Sequence, residues 1–204
     1  VYERNKEAAD TENRYILTCK NTDKICIFTN KGQMHLLKVL DLPYGKFRDK
    51  GIPIDNLSNY NSSEENFIYI INLGAIIHSR LLFGTKTAML KMVDGSEFDV
   101  AKRTTASTKL NEDDELLIVH AMTGEETVVM QSEKEMFLRI EASTIPEKKK
   151  GAVGVRGMKL NAGDALSNIY VLDGENEQTV EVKGKEVVLN RLRVGNRDTK
   201  GTKR

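Results

Sequence analysis

Short apolar runs separated by polar turns recur along the chain, with the rhythm of strands rather than helices. The first unit opens with Ile25-Cys26-Ile27-Phe28, turns at Asn30-Lys31-Gly32, and continues through Met34-His35-Leu36-Leu37-Lys38-Val39-Leu40. A loop, Lys46-Phe47-Arg48-Asp49-Lys50-Gly51, leads through Ile52-Pro53-Ile54 to a polar turn at Ser62-Ser63-Glu64-Glu65. The run Phe67-Ile68-Tyr69-Ile70-Ile71 closes the unit. β-Branched and aromatic residues fill these runs, as a half-buried pleated surface favours. Apolar spacing at i, i+3 and i+4 is nowhere sustained for long.

The layout then repeats. A second unit runs through Leu81-Leu82-Phe83 and Met89-Leu90-Lys91-Met92-Val93 to the loop Lys102-Arg103-Thr104-Thr105. It continues with the turn Asn111-Glu112-Asp113-Asp114 and closes on Leu116-Leu117-Ile118-Val119-His120. A third has Val128-Val129-Met130, Met136-Phe137-Leu138-Arg139-Ile140, a loop from Lys148 to Gly157, the turn Asn161-Ala162-Gly163-Asp164 and the run Ile169-Tyr170-Val171-Leu172. A fourth has Val180-Glu181-Val182, Val187-Val188-Leu189 and the loop Arg197-Asp198-Thr199-Lys200-Gly201. Matched loop positions Gly51, Ala106, Gly154 and Gly201 step by 55, 48 and 47 residues; the first-turn lysines Lys31, Lys86, Lys134 and Lys185 step by 55, 48 and 51.

Repeats of this length built from short strands predict an all-β, propeller-like array of four-stranded blades, with about four repeats visible. The expected divisions, within one domain, are a partial blade at 1–23, blades at 24–73, 79–122 and 127–172, and a partial blade at 178–204. Tyr15-Ile16-Leu17-Thr18 reads as a strand of the first partial blade. The chain therefore reads as starting inside a blade: either the two partial blades complete each other in a closed ring or, the favoured reading, the chain is a piece of a longer array.

Composition narrows the function classes. Lys and Arg number 31 against 30 Asp and Glu, so the net charge is +1 and a histone-like chain is excluded. No apolar run approaches the ~18 residues a transmembrane helix needs, and the start, Val1-Tyr2-Glu3-Arg4-Asn5-Lys6, has no apolar signal core. Two cysteines, Cys19 and Cys26, build neither a disulfide scaffold nor a four-thiolate metal site, and thiols in a cytoplasmic setting are expected.

The charge is nevertheless organised. Residues 146 to 160 carry five positive charges and one negative; residues 183 to 204 carry eight and two. Compensating acids lie in Glu112-Asp113-Asp114-Glu115 and at Asp173, Glu175 and Glu177. If each unit is an antiparallel meander, the basic loop joins its second and third strands and the acidic turn its third and fourth. Positive and negative charge would then gather on opposite rims. A repeated positive edge is the electrostatic footprint of nucleic-acid binding; the plainer reading is a set of solvated polar loops. Glycines in these loops fit either close approach of the backbone to phosphate or turns with positive φ.

These same residues carry a resemblance. The loop pattern Arg/Lys-x-Thr-x-Gly leading into a β segment is clearest in Arg197-Asp198-Thr199-Lys200-Gly201 and in the stretch Lys150 to Leu160, and Phe28-Thr29-Asn30-Lys31-Gly32-Gln33-Met34 ahead of Lys38-Val39 accompanies it. Over nearly its whole length the chain resembles the C-terminal domain of the A subunit of bacterial type II topoisomerases, DNA gyrase and topoisomerase IV. The resemblance implies a β-pinwheel, whose blades exchange strands, and a rim against which duplex DNA bends or wraps. It implies that cleavage and ATP hydrolysis lie elsewhere in the holoenzyme, so ATP and Mg²⁺ belong there and no cofactor to this domain. The implied partners are duplex DNA, the ATPase B subunit, together with the rest of the A subunit, in a cytoplasmic, nucleoid-associated setting without a membrane. The gyrase box Gln-Arg-Arg-Gly-Gly-Lys-Gly is absent; Arg48-Asp49-Lys50-Gly51 and Lys148-Lys149-Lys150-Gly151 come nearest without matching it.

Catalytic signatures are missing. His35, His78 and His120 lack metal-ligand spacing, the six tyrosines lack a nucleophile context, and no Walker, Rossmann or Gly-x-Ser-x-Gly motif occurs. Asp113-Asp114 reads as a solvated turn, and no helix or ribbon for base readout is evident. The candidate phosphate contacts are Lys46, Arg48, Lys50, Lys102, Arg103, Lys148, Lys149, Lys150, Arg156, Arg197 and Lys200. The alternative is a propeller that docks proteins, which would present apolar anchors instead.

Overall fold

The computed structural model describes residues 2–204. Along the chain come α1 (Tyr2–Glu12), β1 (Lys24–Thr29), β2 (Gln33–Lys38), β3 (Phe67–Asn72), α2 (Leu73–Ile76), β4 (Arg80–Thr85), β5 (Met89–Asp94), β6 (Thr104–Ala106), β7 (Leu116–Met122), β8 (Thr127–Ser132) and β9 (Met136–Glu141). They are followed by β10 (Val155–Arg156), β11 (Met158–Lys159), β12 (Leu166–Leu172), β13 (Thr179–Val182), β14 (Lys185–Val188), β15 (Thr199–Lys200) and β16 (Thr202–Lys203).

Three four-stranded sheets have the orders β3-β1-β2-β6, β7-β4-β5-β10 and β12-β8-β9-β16. Each is built on a hairpin. The residue closing the hairpin turn, Gly32, Ala88, Glu135 or Gly184, has φ of 72°, 64°, 62° or 74°. This recurrent left-handed residue produces the regular spacing of the turn lysines in sequence.

Two features differ from a simple meander. The closing strand of each unit pairs with the first hairpin strand, not the second: Ile27 faces Ile70 across β1 and β3, while His35 faces Ile27 on the other side. The chain must therefore travel the full blade between β2 and β3. The fourth strand of each sheet is supplied by the next unit: β6 pairs with β2, β10 with β5 and β16 with β9. Strand exchange of this kind is what the pinwheel expectation requires. Ile52-Pro53-Ile54 adds no strand; a 3₁₀ turn at Ile54–Asn56 follows Pro53, whose missing N–H suits a turn better than a ladder.

The N-terminal expectation is corrected. Tyr15–Thr18 forms no strand, and residues 2–12 form α1, composed of helix-favouring Glu, Lys and Ala and carrying a Lys6–Asp10 ion pair at 2.7 Å. The extended segment after it lies along β3 through single contacts, with the Tyr15 hydroxyl donating to the Ile68 carbonyl at 3.3 Å, but no ladder forms.

The core lies between blades. Leu81 and Phe83 point from β4 into a cluster with Cys26, Phe28 and Met34 of the first sheet. Leu82, Leu90 and Met92 point the other way, to Val128, Met130 and Leu138 of the third. Val129 and Phe137 continue the stack against Val182 and Leu189 of the last hairpin. Both faces of β4 and β8 are buried, so these strands read as continuous apolar runs.

Candidate nucleic-acid interface

The edges of the sheets decide where the basic segments sit. β7 packs against both β3 and β12, so the closing strands of successive blades converge at one side. The exchanged strands β6, β10 and β16 occupy the opposite edge of the three four-stranded sheets. The basic loops of the second, third and fourth units lead into or contain these exchanged strands and so follow that edge, whereas the loop from Lys46 to Gly51 adjoins no exchanged strand.

Close packing holds the crossing chain there. Gly154 passes so tightly over β5 that a Cβ would stand 2.5 Å from the Leu90 carbonyl oxygen; at Gly201 the corresponding approach to the Phe137 carbonyl oxygen is 2.9 Å. Neither glycine is among the positive-φ residues. These glycines therefore serve backbone-to-backbone contact within the fold, a third role beside the two expected from sequence. Gly51, by contrast, has open space around it.

The candidate cations divide into two groups. Lys46, Arg48, Lys50, Lys102, Arg103, Lys149, Arg156 and Lys200 are exposed. The Lys46 amide donates to the Asp49 carboxylate at 2.7 Å, which shapes its loop. Arg103 reaches toward Asp41 at 3.8 Å with its side chain 68% exposed. Lys149 is 87% exposed and 3.5 Å from Glu97. The other group is turned inward. Lys148 is half-buried and its amide donates to Met92. Lys150 donates its ammonium to the Glu97 carbonyl at 2.9 Å. Arg197 donates to the Arg156 carbonyl at 3.0 Å, while Arg156 itself lies 3.5 Å from Asp198.

The structure brings Arg156, Arg197 and Lys200 together and adds Lys159, which is not among the cations expected from sequence. β11 and β15 run parallel with Lys159 opposite Lys200, both exposed. Like charges in direct register oppose pairing unless an anion sits between them. Thr87, Arg156, Lys159 and Lys200 also line one shallow depression. Arg193 and Arg204 line a neighbouring one with Lys200. Their signal in the sequence was the excess of positive charge over residues 183 to 204.

The acidic turn of the second unit is tied to the hairpin turns of two blades. Glu115 lies 3.2 Å from Lys31 and 2.9 Å from Lys86, at the hairpin ends of two adjacent blades. The hydrogen bond from Lys86, backed by Lys31, holds the Glu115 carboxyl below the usual carboxylate range. Asp114 is not solvated either: it is 7% exposed, and its carboxylate accepts from the Thr87 amide at 3.0 Å and hydroxyl at 2.6 Å. The units are not meanders, so the order of connections no longer predicts which rim carries which charge.

His35 is 4% exposed and lies 2.6 Å from Glu65 and 2.9 Å from Thr104, so it ties β2 to the exchanged strand. Burial pushes the Cys26 thiol up to about 12, away from reactivity. Among the described residues no cluster of three or more His, Cys, Asp and Glu side chains is arranged to hold a metal, and no helix is long and apolar enough to cross a membrane.

Blades closed by strands from the next unit define a β-pinwheel of the propeller-like class. Residues 79–121 and 126–173 match the family described as DNA gyrase C-terminal domain, beta-propeller. The chain is 31% identical over 196 residues to the DNA gyrase A subunit of Staphylococcus epidermidis, covering 92% of this chain and 22% of that protein. It is 29% identical to its counterpart in Lawsonia intracellularis over 194 residues, covering 91% and 23%. The chain thus spans about a fifth of the length of these curated relatives. Among solved structures, the C-terminal domain of DNA topoisomerase IV superposes with a TM-score of 0.83 at 20% identity, over 98% of this chain and 66% of that one. The DNA gyrase A C-terminal domain gives 0.66 at 20%, over 90% and 60%. The family match over residues 79–121 and 126–173, the gyrase A relatives and the shared fold together support identification as a C-terminal domain of the gyrase A type.

Proposed function

We propose that this domain binds duplex DNA without sequence specificity along its exchanged-strand edge, and bends or wraps it for the cleavage core of a bacterial ATP-dependent type II topoisomerase. In this reading the domain is non-catalytic. It works beside the B subunit, with the rest of the A subunit, in the bacterial cytoplasm, where ATP and Mg²⁺ serve other parts of the enzyme. One observation carries the reading: Lys159 and Lys200 stand opposite each other in parallel register beside Arg156. Folding does not favour that pair, whereas a phosphate between them relieves the repulsion. Phosphate contacts release counterions and carry no sequence information. Bending 20–30 bp costs about 1–6 kcal/mol by elastic estimates, which contacts distributed along successive blade edges can offset.

The test is a triple substitution at exposed positions, Arg103→Glu, Lys149→Glu and Lys200→Glu. The variant is expected to keep its fold by circular dichroism and lose DNA affinity. Unchanged affinity in a folded variant would move the contact surface elsewhere.

A protein-docking reading has one specific support. The loop of the first unit exposes Leu40 at 74%, Tyr44 at 98% and Phe47 at 52%. If this loop meets protein, substitution of Tyr44 and Leu40 by serine would leave DNA affinity intact and weaken association with the remainder of the A subunit.

A further inference from the structure

The ammonium of Lys91 lies inside the loop that carries three consecutive lysines. Lys91 is on β5 and 1% exposed. Its Nζ donates to the main-chain carbonyls of Lys149, Lys150 and Ala152 at 3.2, 2.9 and 2.7 Å. The Phe83 ring lies 5.6 Å away. The incoming chain pairs with β5 on either side of this point, Glu147 beside Met92 and Val155 opposite Leu90. Residues 148–154 therefore leave the ladder and curl around the buried charge.

The fold does not demand a cation here. Counted from the left-handed turn residue, the same position is His35 in the first blade and Leu138 in the third. Burying a lysine is costly unless its charge is fully hydrogen-bonded, so Lys91 points to a local purpose. Peptide planarity supplies one. The N–H of a trans peptide points opposite to its C=O. Three carbonyls drawn in toward Lys91 turn the amides of Lys150, Gly151 and Val153 outward. The Lys150 amide donates to the Glu97 carboxylate at 3.0 Å. By the same rule those of Gly151, exposed, and Val153, half-buried, point away from Lys91; the nearby cation is Lys149, 3.5 Å from the Glu97 carboxylate, and N–H groups with a cation suit an oxyanion.

We propose that Lys91 is a positioning residue that folds the loop 148–154 into a seat for one DNA phosphate, held by the Gly151 and Val153 amides together with Lys149. The proposal rests on the DNA-binding reading above. It is tested on the 204-residue chain by adding a linear duplex of random sequence and following amide resonances. The wild-type Gly151 and Val153 amides shift on binding. Lys91→Met, a substitution close in volume, binds about three- to tenfold more weakly with a salt slope shallower by about 1, as loss of one phosphate contact requires. A merely structural role would lower the melting temperature without changing that slope. DNA that binds the wild type but leaves both amides unshifted overturns the proposal, and so does a folded Lys91→Met protein with the wild-type slope. The amide measurement needs no variant, so a Lys91→Met chain that fails to fold leaves the proposal decidable. Absence of any binding by the wild type would instead overturn the DNA-binding reading itself.

Discussion

The carboxylate of Glu115 stands 3.2 Å from the ammonium of Lys31, across the boundary between two blades, and the hairpin ends of both blades meet on it. Lys31 and Lys86 are repeat-equivalent residues, so one acid serves two copies of the same turn. The pair is half-exposed, and its contribution is expected to be about 0.2–1 kcal/mol. Glu115→Gln should lower the unfolding free energy by that amount at neutral pH. The carboxyl is depressed in the folded state, so its stabilisation is present above the unfolded value near 4.3 and is lost as pH falls through the folded one. Urea denaturation should therefore separate wild type and variant at pH 7 and bring them together at low pH.

Gly154 and Gly51 occupy matched positions in the repeat but have opposite surroundings. Gly154→Ala forces a methyl against the Leu90 carbonyl and is expected to cost about 1–3 kcal/mol. Gly51→Ala, in open space, should stay within about 0.5 kcal/mol of wild type. Thermal unfolding of the two variants side by side is the check.

His35 and Glu65 are both buried and lie 2.6 Å apart. His35→Ala leaves the carboxylate without its ring partner and opens a cavity beside Tyr60. A loss of about 1–3 kcal/mol is expected from the unmatched polar group. Urea denaturation of both proteins is the check; because His35 bonds Thr104, next to Arg103, DNA affinity is expected to fall with stability.

Burial pulls Lys91 down to about 8 from its usual 10.5. Between those values the unfolded chain binds more protons than the folded one, so stability should rise with pH through that window. Lys91→Met should abolish this rise. Equilibrium denaturation between pH 7 and 10.5 on both chains gives the comparison.

Hairpins and blade count were legible because Lys31, Lys86, Lys134 and Lys185 mark turns in which a left-handed residue recurs close by. The exchanged strands were not legible. β10, β15 and β16 are two residues long and β6 is three, too short for any alternation to register. The partners of β6, β10 and β16 lie 65 to 73 residues back, so local pattern carries no record of them. The meander assumption followed from this, and with it the argument that placed opposite charges on opposite rims. At the site, exposed Lys149 and Lys200 were evident as charge, but the inward turn of Lys150 and Arg197 depends on carbonyls that only the folded chain presents. Lys91 read as a strand residue between Leu90 and Met92, and its partners come from the next unit. Residues 15–18 looked like a strand because Tyr, Ile, Leu and Thr favour one, yet no neighbouring strand pairs with them.

The central claim is that the exchanged-strand edge neutralises DNA phosphates. A salt titration of binding to a linear duplex of random sequence tests it most directly. A log–log slope of about −3 to −6 is the predicted result, corresponding to several phosphates contacted at once. No binding at low salt would contradict it.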